Sequence, residues 1–225
     1  MASSDRERAM NNVLCIAQLE SRIIADEQVA KQTIQPLRTI FYVDKAPAQG
    51  IDARRIRIAE NHQKLRDIVL AYQPDYVWQI EGDSILPENT LETLISHYQK
   101  QPGVYSGIQV GRHGLYCIGA WHVAKNKKEF ASVDHKLTGL QSVDAMGMYC
   151  FFTDTATWLS GDCYWKSERW GPDVNYFLSI DAPKFVDMDL EIGHKTKTGI
   201  IKPDQPSTCN AVFWQENNNW RFEQV

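Results

Sequence analysis

The strongest constraint on this chain is the way apolar runs and helical stretches take turns along its first half. Val13-Leu14-Cys15-Ile16-Ala17 is a short continuous apolar run, and Thr39 to Val43 is a second. Continuous rather than alternating apolar strands are buried on both faces, the habit of parallel sheets. Between them, Ser21 to Gln35 has helical composition and Pro36 stops it, because proline cannot continue a helix. Parallel strands need such a crossover, so the segment predicts a strand-helix-strand unit.

The pattern then repeats. Ala46 to Asp52, with Pro47 and Gly50, reads as a loop, after which Ile58, Leu65, Ile68, Val69 and Tyr72 recur at helical spacing up to Gln73-Pro74. Asp75-Tyr76-Val77-Trp78-Gln79-Ile80 is rich in β-formers and delivers the chain into Glu81-Gly82-Asp83. Ser84 is placed to cap and Pro87 to open a further helix, with Leu91, Leu94, Ile95 and Tyr98 on one face, ended by Gln101-Pro102-Gly103. This alternation predicts a doubly wound, mostly parallel α/β sheet with its ligand crevice at the carboxyl ends of the strands. Asp44 and Asp83 both follow strands directly and are expected at that crevice.

Beyond Gly103 the periodicity weakens. Val104 to Val110 and Tyr116 to Val123 are strand-like pieces among several Gly and Trp residues, and no Pro/Ser-rich linker marks a second domain. The expected organisation is a frayed start over residues 1–12, a nucleotide-binding half over 13–110, and an irregular acceptor-side elaboration of the same domain over 111–225. No internal repeat is visible.

Composition narrows the function classes. With 225 residues, 43% of them hydrophobic, the chain can bury a full core. Twenty-four Lys and Arg against 28 Asp and Glu leave a net charge of -4, which lacks the basic footprint of nucleic-acid or anionic-membrane binding. Cys15, Cys117, Cys150, Cys163 and Cys209 form no CxxC pair, so buried reduced thiols are expected rather than a zinc module or disulfide scaffold. Neither a signal peptide nor a membrane span is apparent, and a cytoplasmic protein is expected, in the host cytoplasm if the source is viral.

Glu81-Gly82-Asp83 carries the clearest chemistry. Two carboxylates flanking a glycine at a strand end make a small hard-oxygen site suited to Mg²⁺ or Mn²⁺ on a diphosphate. The same three residues in another setting would be an ordinary solvated turn, so the surroundings decide between the two readings.

Those surroundings resemble a family. The run DYVWQIEGDSILPENTLETL is similar to the strand, DXD motif, proline and helix of GT-A (Rossmann-like) glycosyltransferases, especially the inverting class typified by chitin and cellulose synthases and their small bacterial and phage relatives. Ala17-Gln18-Leu19-Glu20-Ser21-Arg22 falls where the family has its base-binding loop, and Phe41-Tyr42-Val43-Asp44-Lys45 where a second strand ends in Asp. The resemblance implies that Gln18, Leu19, Glu20 and Asp44 hold the base or ribose. Glu60-Asn61 stands where the family has Arg-Asn, and Arg54, Arg55 and Arg57 precede it, which points to Arg57 and Asn61 near the diphosphate. Val143 to Cys150, with Met146-Gly147, resembles the donor-sugar loop. Trp170-Gly171-Pro172-Asp173 resembles the Gly-Glu-Asp segment whose Asp is general base, with Pro172 in place of the Glu and Trp170 beside the acceptor. Gly193-His194 falls where the family has a histidine on the metal.

The resemblance therefore implies a metal-dependent glycosyltransferase. Asp83 and His194 would hold Mn²⁺ or Mg²⁺ with Glu81 as a further ligand or on the ribose, Gly82 would admit the phosphates, and Asp173 would deprotonate the acceptor hydroxyl, giving inversion. The donor is a nucleotide sugar, a UDP-sugar before a GDP-sugar; the acceptor is a glycan, a lipid-linked sugar, a protein, or a modified nucleic acid such as hydroxymethylated phage-type DNA. Trp121, Trp158, Trp165, Trp170 and Trp214 offer stacking surfaces, although most are expected in packing roles. The alternatives are a non-catalytic nucleotide-sugar or glycan-binding module, and a sugar nucleotidyltransferase, against which the absence of glycine between Gln18 and Arg22 counts.

Overall fold

A computed structural model describes residues 13–19, 22–43, 51–109, 119–124, 129–134, 136–164, 171–196, 199–201, 211–216 and 219–224. The first half contains β1 (Val13–Leu19), α1 (Arg22–Ala30), β2 (Arg38–Val43), α2 (Ile51–Tyr72), β3 (Tyr76–Glu81), β4 (Ser84–Ile85), α3 (Thr90–Lys100) and β5 (Val104–Ile108). The second half adds β6 (Ala120–Val123), β7 (Glu129–Ser132), β8 (Leu140–Ser142), β9 (Ala145–Met146), β10 (Cys150–Asp154), α4 (Thr155–Ser160), α5 (Pro172–Ser179) and β11 (Lys184–Glu191). It closes with β12 (Gly193–Thr196), β13 (Gly199–Ile201), β14 (Ala211–Glu216) and β15 (Asn219–Gln224).

Seven strands form the central sheet in the order β2-β1-β3-β10-β5-β11-β8. β1 pairs in parallel with β2 and β3, and β5 with β11, while β10 runs antiparallel between β3 and β5. The sheet is mixed and mostly parallel, the Rossmann-like α/β arrangement that the alternating first half predicts.

Apolar residues cover both faces of the sheet. One core gathers Leu14, Ile16, Leu65, Val69, Val77, Phe151, Trp158 and Tyr176; the other gathers Cys15, Trp78, Ile80, Leu91, Leu94, Tyr105 and Phe152. Neighbouring strand residues alternate between the two cores, as the period of two requires. Burying a Leu- or Phe-sized side chain contributes roughly 1.5–3 kcal/mol, so these layers outweigh any single polar contact. His97 Nε2 meets Asp187 Oδ2 at 2.8 Å and fastens α3 to β11.

Two local expectations need correction. The first helix ends at Ala30 instead of running to Gln35, because glutamine side chains compete for the backbone there. Gln32 donates to the carbonyls of Gln28 and Pro87, and Gln35 to those of Val29 and Gln32. Ser84 does not cap α3: it lies in β4, and Asn89 takes the N-cap position. The buried Ser84 Oγ donates instead to the Tyr149 carbonyl at 2.9 Å.

Two smaller sheets flank the main one, β13-β12-β4 and β15-β14-β7-β6-β9. The first lays the segment containing His194 against the residues that follow Asp83. Among the described residues, no helix is long and apolar enough to cross a membrane.

Candidate active site

Parallel register brings the carboxyl ends of β2, β1 and β3 into one row, with Gln18 between Tyr42 and Glu81. Ligand crevices of open α/β sheets lie at such ends. Glu81 is the last residue of β3, and Gly82 and Asp83 form the turn into the two-residue β4. Glu20, Asp44 and Trp170 lie outside the described residues, as do Cys117, Cys209 and Trp165.

The acidic turn is built into its neighbours. Glu81 N–H donates to the Tyr149 carbonyl at 2.9 Å, the same oxygen that accepts from Ser84 Oγ. β12 pairs antiparallel with β4, setting His194 opposite Ser84, and Lys195 N–H donates to the Asp83 carbonyl at 2.8 Å. As a result His194 Nε2 stands 3.7 Å from Asp83 Oδ2, with the His194 side chain 5% exposed and that of Asp83 24% exposed. The structure thus brings together two residues more than a hundred positions apart in the sequence.

An imidazole nitrogen and a carboxylate oxygen at this separation suit two ligands of one ion, each about 2.1 Å from it. Glu81 sits one residue away along the chain but does not complete a set of three: among the described residues no group of three or more His, Cys, Asp or Glu side chains is arranged to hold an ion. Two protein donors leave the remaining positions of such an ion to waters and substrate phosphates.

The Met146-Gly147 segment packs against Tyr149, whose carbonyl accepts from Glu81 N–H and Ser84 Oγ. Gly147 N–H donates to the Gly119 carbonyl at 2.7 Å, and a Cβ on Gly147 would come within 2.6 Å of the Tyr149 ring. Tyr149 is itself fixed, its hydroxyl donating to the Gly107 carbonyl at 3.0 Å. Glycine is therefore required at 147 by close approach. Met146 is buried in β9, against which α5 packs.

Asp173 stands in the first turn of α5, one residue inside the helix: Gly171 is the N-cap and Pro172 opens the helix. A plain N-cap role for Asp173 is thus not what is observed. Its Oδ1 would lie only 2.5 Å from a Cβ on Gly171, so the carboxylate is folded back over the cap. Burial pushes the Asp173 carboxyl above its ordinary range, against the backbone N–H groups of Val174 and Asp173 itself and the nearby charge of Arg55, which pull it down.

On α2, Asn61 is buried and Arg57 half-buried. The arginine whose charge acts on Asp173 is Arg55, a residue with no distinguishing mark in the sequence beyond standing in the Arg cluster. Trp158 belongs to the core, its Nε1 donating to Gln79 Oε1 at 3.1 Å, and so presents no open face to a ligand. Trp121 is half-buried. The described cysteines Cys15, Cys150 and Cys163 are free thiols, and burial pushes the Cys150 thiol up to about 12, an unreactive state.

Fold and site together describe an α/β protein with an acid-Gly-acid turn at the parallel strand ends and a histidine facing it. No protein-family model matches the chain, and no curated protein matches it in sequence. Among solved structures it is similar to A197 from STIV, with a TM-score of 0.55 and 13% identity over 92% of this chain and 95% of that one. At that identity the likeness speaks for the fold alone.

Proposed function

We propose that this chain is a metal-dependent glycosyltransferase of the GT-A type, taking a sugar from a nucleoside-diphosphate sugar. The observation that carries the reading is the approach of His194 Nε2 to Asp83 Oδ2, 3.7 Å apart, beside the ends of parallel strands. Asp83 and His194 would hold Mn²⁺ or Mg²⁺, which when bound supplies charge neutralisation for the departing nucleoside diphosphate. Glu81, Gly82 and the row through Gln18 and Leu19 would receive the nucleotide, and the Met146-Gly147 segment would contact the donor sugar. A UDP-sugar is the favoured donor and a GDP-sugar the second choice; the acceptor is a glycan, a lipid-linked sugar, a protein or a modified nucleic acid.

Asp173 takes the proton of the attacking acceptor hydroxyl at its carboxylate. A carboxyl raised above its usual range is better matched to accepting a proton near neutrality than an ordinary aspartate. Thermal-shift measurements with UDP and GDP, with and without Mn²⁺, test donor and metal together: Asp83→Ala should abolish the Mn²⁺-dependent shift and donor turnover. Asp173→Asn should keep the shift and stop transfer, and normal transfer by that variant would remove Asp173 as the base.

The fold-back of Asp173 onto the start of its own helix favours a second reading, a nucleotide-sugar-binding module without turnover. Mn²⁺-dependent donor hydrolysis separates the two: binding with no hydrolysis or transfer would support the module.

A further inference from the structure

Gln109, just beyond β5, is 4% exposed and lies where three segments of the proposed site meet. Its Nε2 is 3.2 Å from Ser84 Oγ and 3.4 Å from the Gly193 carbonyl, the residues that follow Asp83 and precede His194. An amide nitrogen carries two hydrogens, and each has an acceptor here. Ser84 can accept because its own hydrogen goes to the Tyr149 carbonyl. The Gln109 main-chain carbonyl accepts from Gly119 N–H at 2.8 Å, and the Gly119 carbonyl accepts from Gly147 N–H at 2.7 Å.

The brace matters because the element it holds is small. β4 is two residues long, and its pairing with β12 joins Gly193 to Ile85 and His194 to Ser84. A ladder this short is weak by itself. We propose that Gln109 is a positioning residue, whose side-chain amide clamps the β4–β12 ladder and so fixes Asp83 and His194 at the separation a cation needs. This rests on the metal reading of Asp83 and His194 and adds a residue that touches neither substrate nor ion.

The test titrates Mn²⁺ alone into the full chain and follows the free-ion signal by electron paramagnetic resonance, with thermal unfolding measured in parallel. Gln109→Met keeps the volume and loses both N–H donors; Gln109→Asn keeps the amide but is one carbon too short to reach both acceptors. Thr153→Val removes a buried hydroxyl that donates to the Gly103 carbonyl elsewhere in the sheet, and serves as the stability control. Removing partners that orient metal ligands weakens affinity by roughly 10–100-fold, so Gln109→Met should weaken Mn²⁺ binding by at least about tenfold. Gln109→Asn should fall between it and the parent, and Thr153→Val should bind as the parent does. Parent-like Mn²⁺ affinity in both Gln109 variants would overturn the clamp while leaving the metal site intact, and so would equal weakening by Thr153→Val. If the parent chain binds no Mn²⁺ alone, the same comparison is made with UDP added, which supplies phosphate ligands; if no Mn²⁺ binds then, the metal reading fails, and the clamp with it. Should Gln109→Met not fold, Gln109→Asn decides by the same comparison.

Discussion

His62 gives the structure its most accessible thermodynamic signature. The residue is 1% exposed, its ring stacked on Trp158 and tilted against Tyr176, with both centroid distances 4.7 Å. Neither ring nitrogen has a hydrogen-bond partner among the described residues. Burial first, and the Arg66 charge second, lower its pKa from 6.5 to about 3, since charging an imidazole in an apolar setting beside a cation is unfavourable. The folded chain therefore refuses a proton that the unfolded chain accepts. This stabilisation is fully present above the unfolded value near 6.5 and is lost as pH falls toward about 3.

The slope is about 1.4 kcal/mol per pH unit inside that window, so by about pH 5 roughly 2 kcal/mol should be gone. His62→Phe keeps a stacking ring and removes the titration. Urea unfolding of both proteins, from about pH 7.5 down to about pH 4.5, isolates the effect, because every other titrating group is common to the pair. The difference between them should grow by about 2 kcal/mol in favour of the variant by about pH 5, equivalent to roughly 4–8 °C in melting temperature. At neutral pH the variant should match or exceed the parent, since a buried polar atom without a partner costs about 1–3 kcal/mol. Parallel stability curves across the window would refute the buried neutral imidazole.

Two further perturbations probe the same framework. Arg66 Nη1 donates to the Leu159 and Gly161 carbonyls at 2.5 and 2.9 Å, so Arg66→Leu should cost about 1–3 kcal/mol in urea unfolding; it should also narrow the acid-sensitive window from its lower end, because it deletes the like charge that helps lower the folded-state pKa of His62. Gly147→Ala places a Cβ 2.6–2.8 Å from a Tyr149 ring held by its own hydrogen bond; a loss of roughly 1–3 kcal/mol and a reduced Mn²⁺-UDP thermal shift are expected, and an unchanged shift would place Gly147 away from the donor.

The first half of the fold was legible because its information is local. The apolar runs at Val13 and Thr39, and the run from Tyr76 into Glu81, each announce a buried strand, and the crossover between parallel strands follows from chain geometry. The second half hides its order in pairings far apart along the chain. β10 enters antiparallel between β3 and β5, and β5 pairs with β11, and no periodicity within either strand announces its partner. The approach of His194 to Asp83 was foreshadowed by the motif order, but its geometry depends on the two-residue β4, too short to show as a strand in the sequence. Gln109 and His62 had no signal at all, for a lone glutamine after a strand and a histidine among charged helix residues both read as solvated.

Helix α2 links these observations. Arg55, His62 and Val69 recur every seven residues, which keeps them on one side of the helix, and α2 packs on β1 and α5. At its start, Arg55 acts on Asp173 of α5; two turns on, His62 meets Tyr176, one turn along α5 from Asp173; a further turn on, Arg66 ties down carbonyls at the C-terminal end of α4. The same helix-helix contact therefore carries both the buried histidine and the carboxylate proposed as the base. A substitution at His62 that lets α5 shift should be felt at Asp173 before it is felt at Asp83, which is held by β12 and Tyr149 instead. Loss of transfer with metal binding retained is the pattern this division of supports predicts for the α2–α5 contact, and loss of both is the pattern for the β4–β12 ladder.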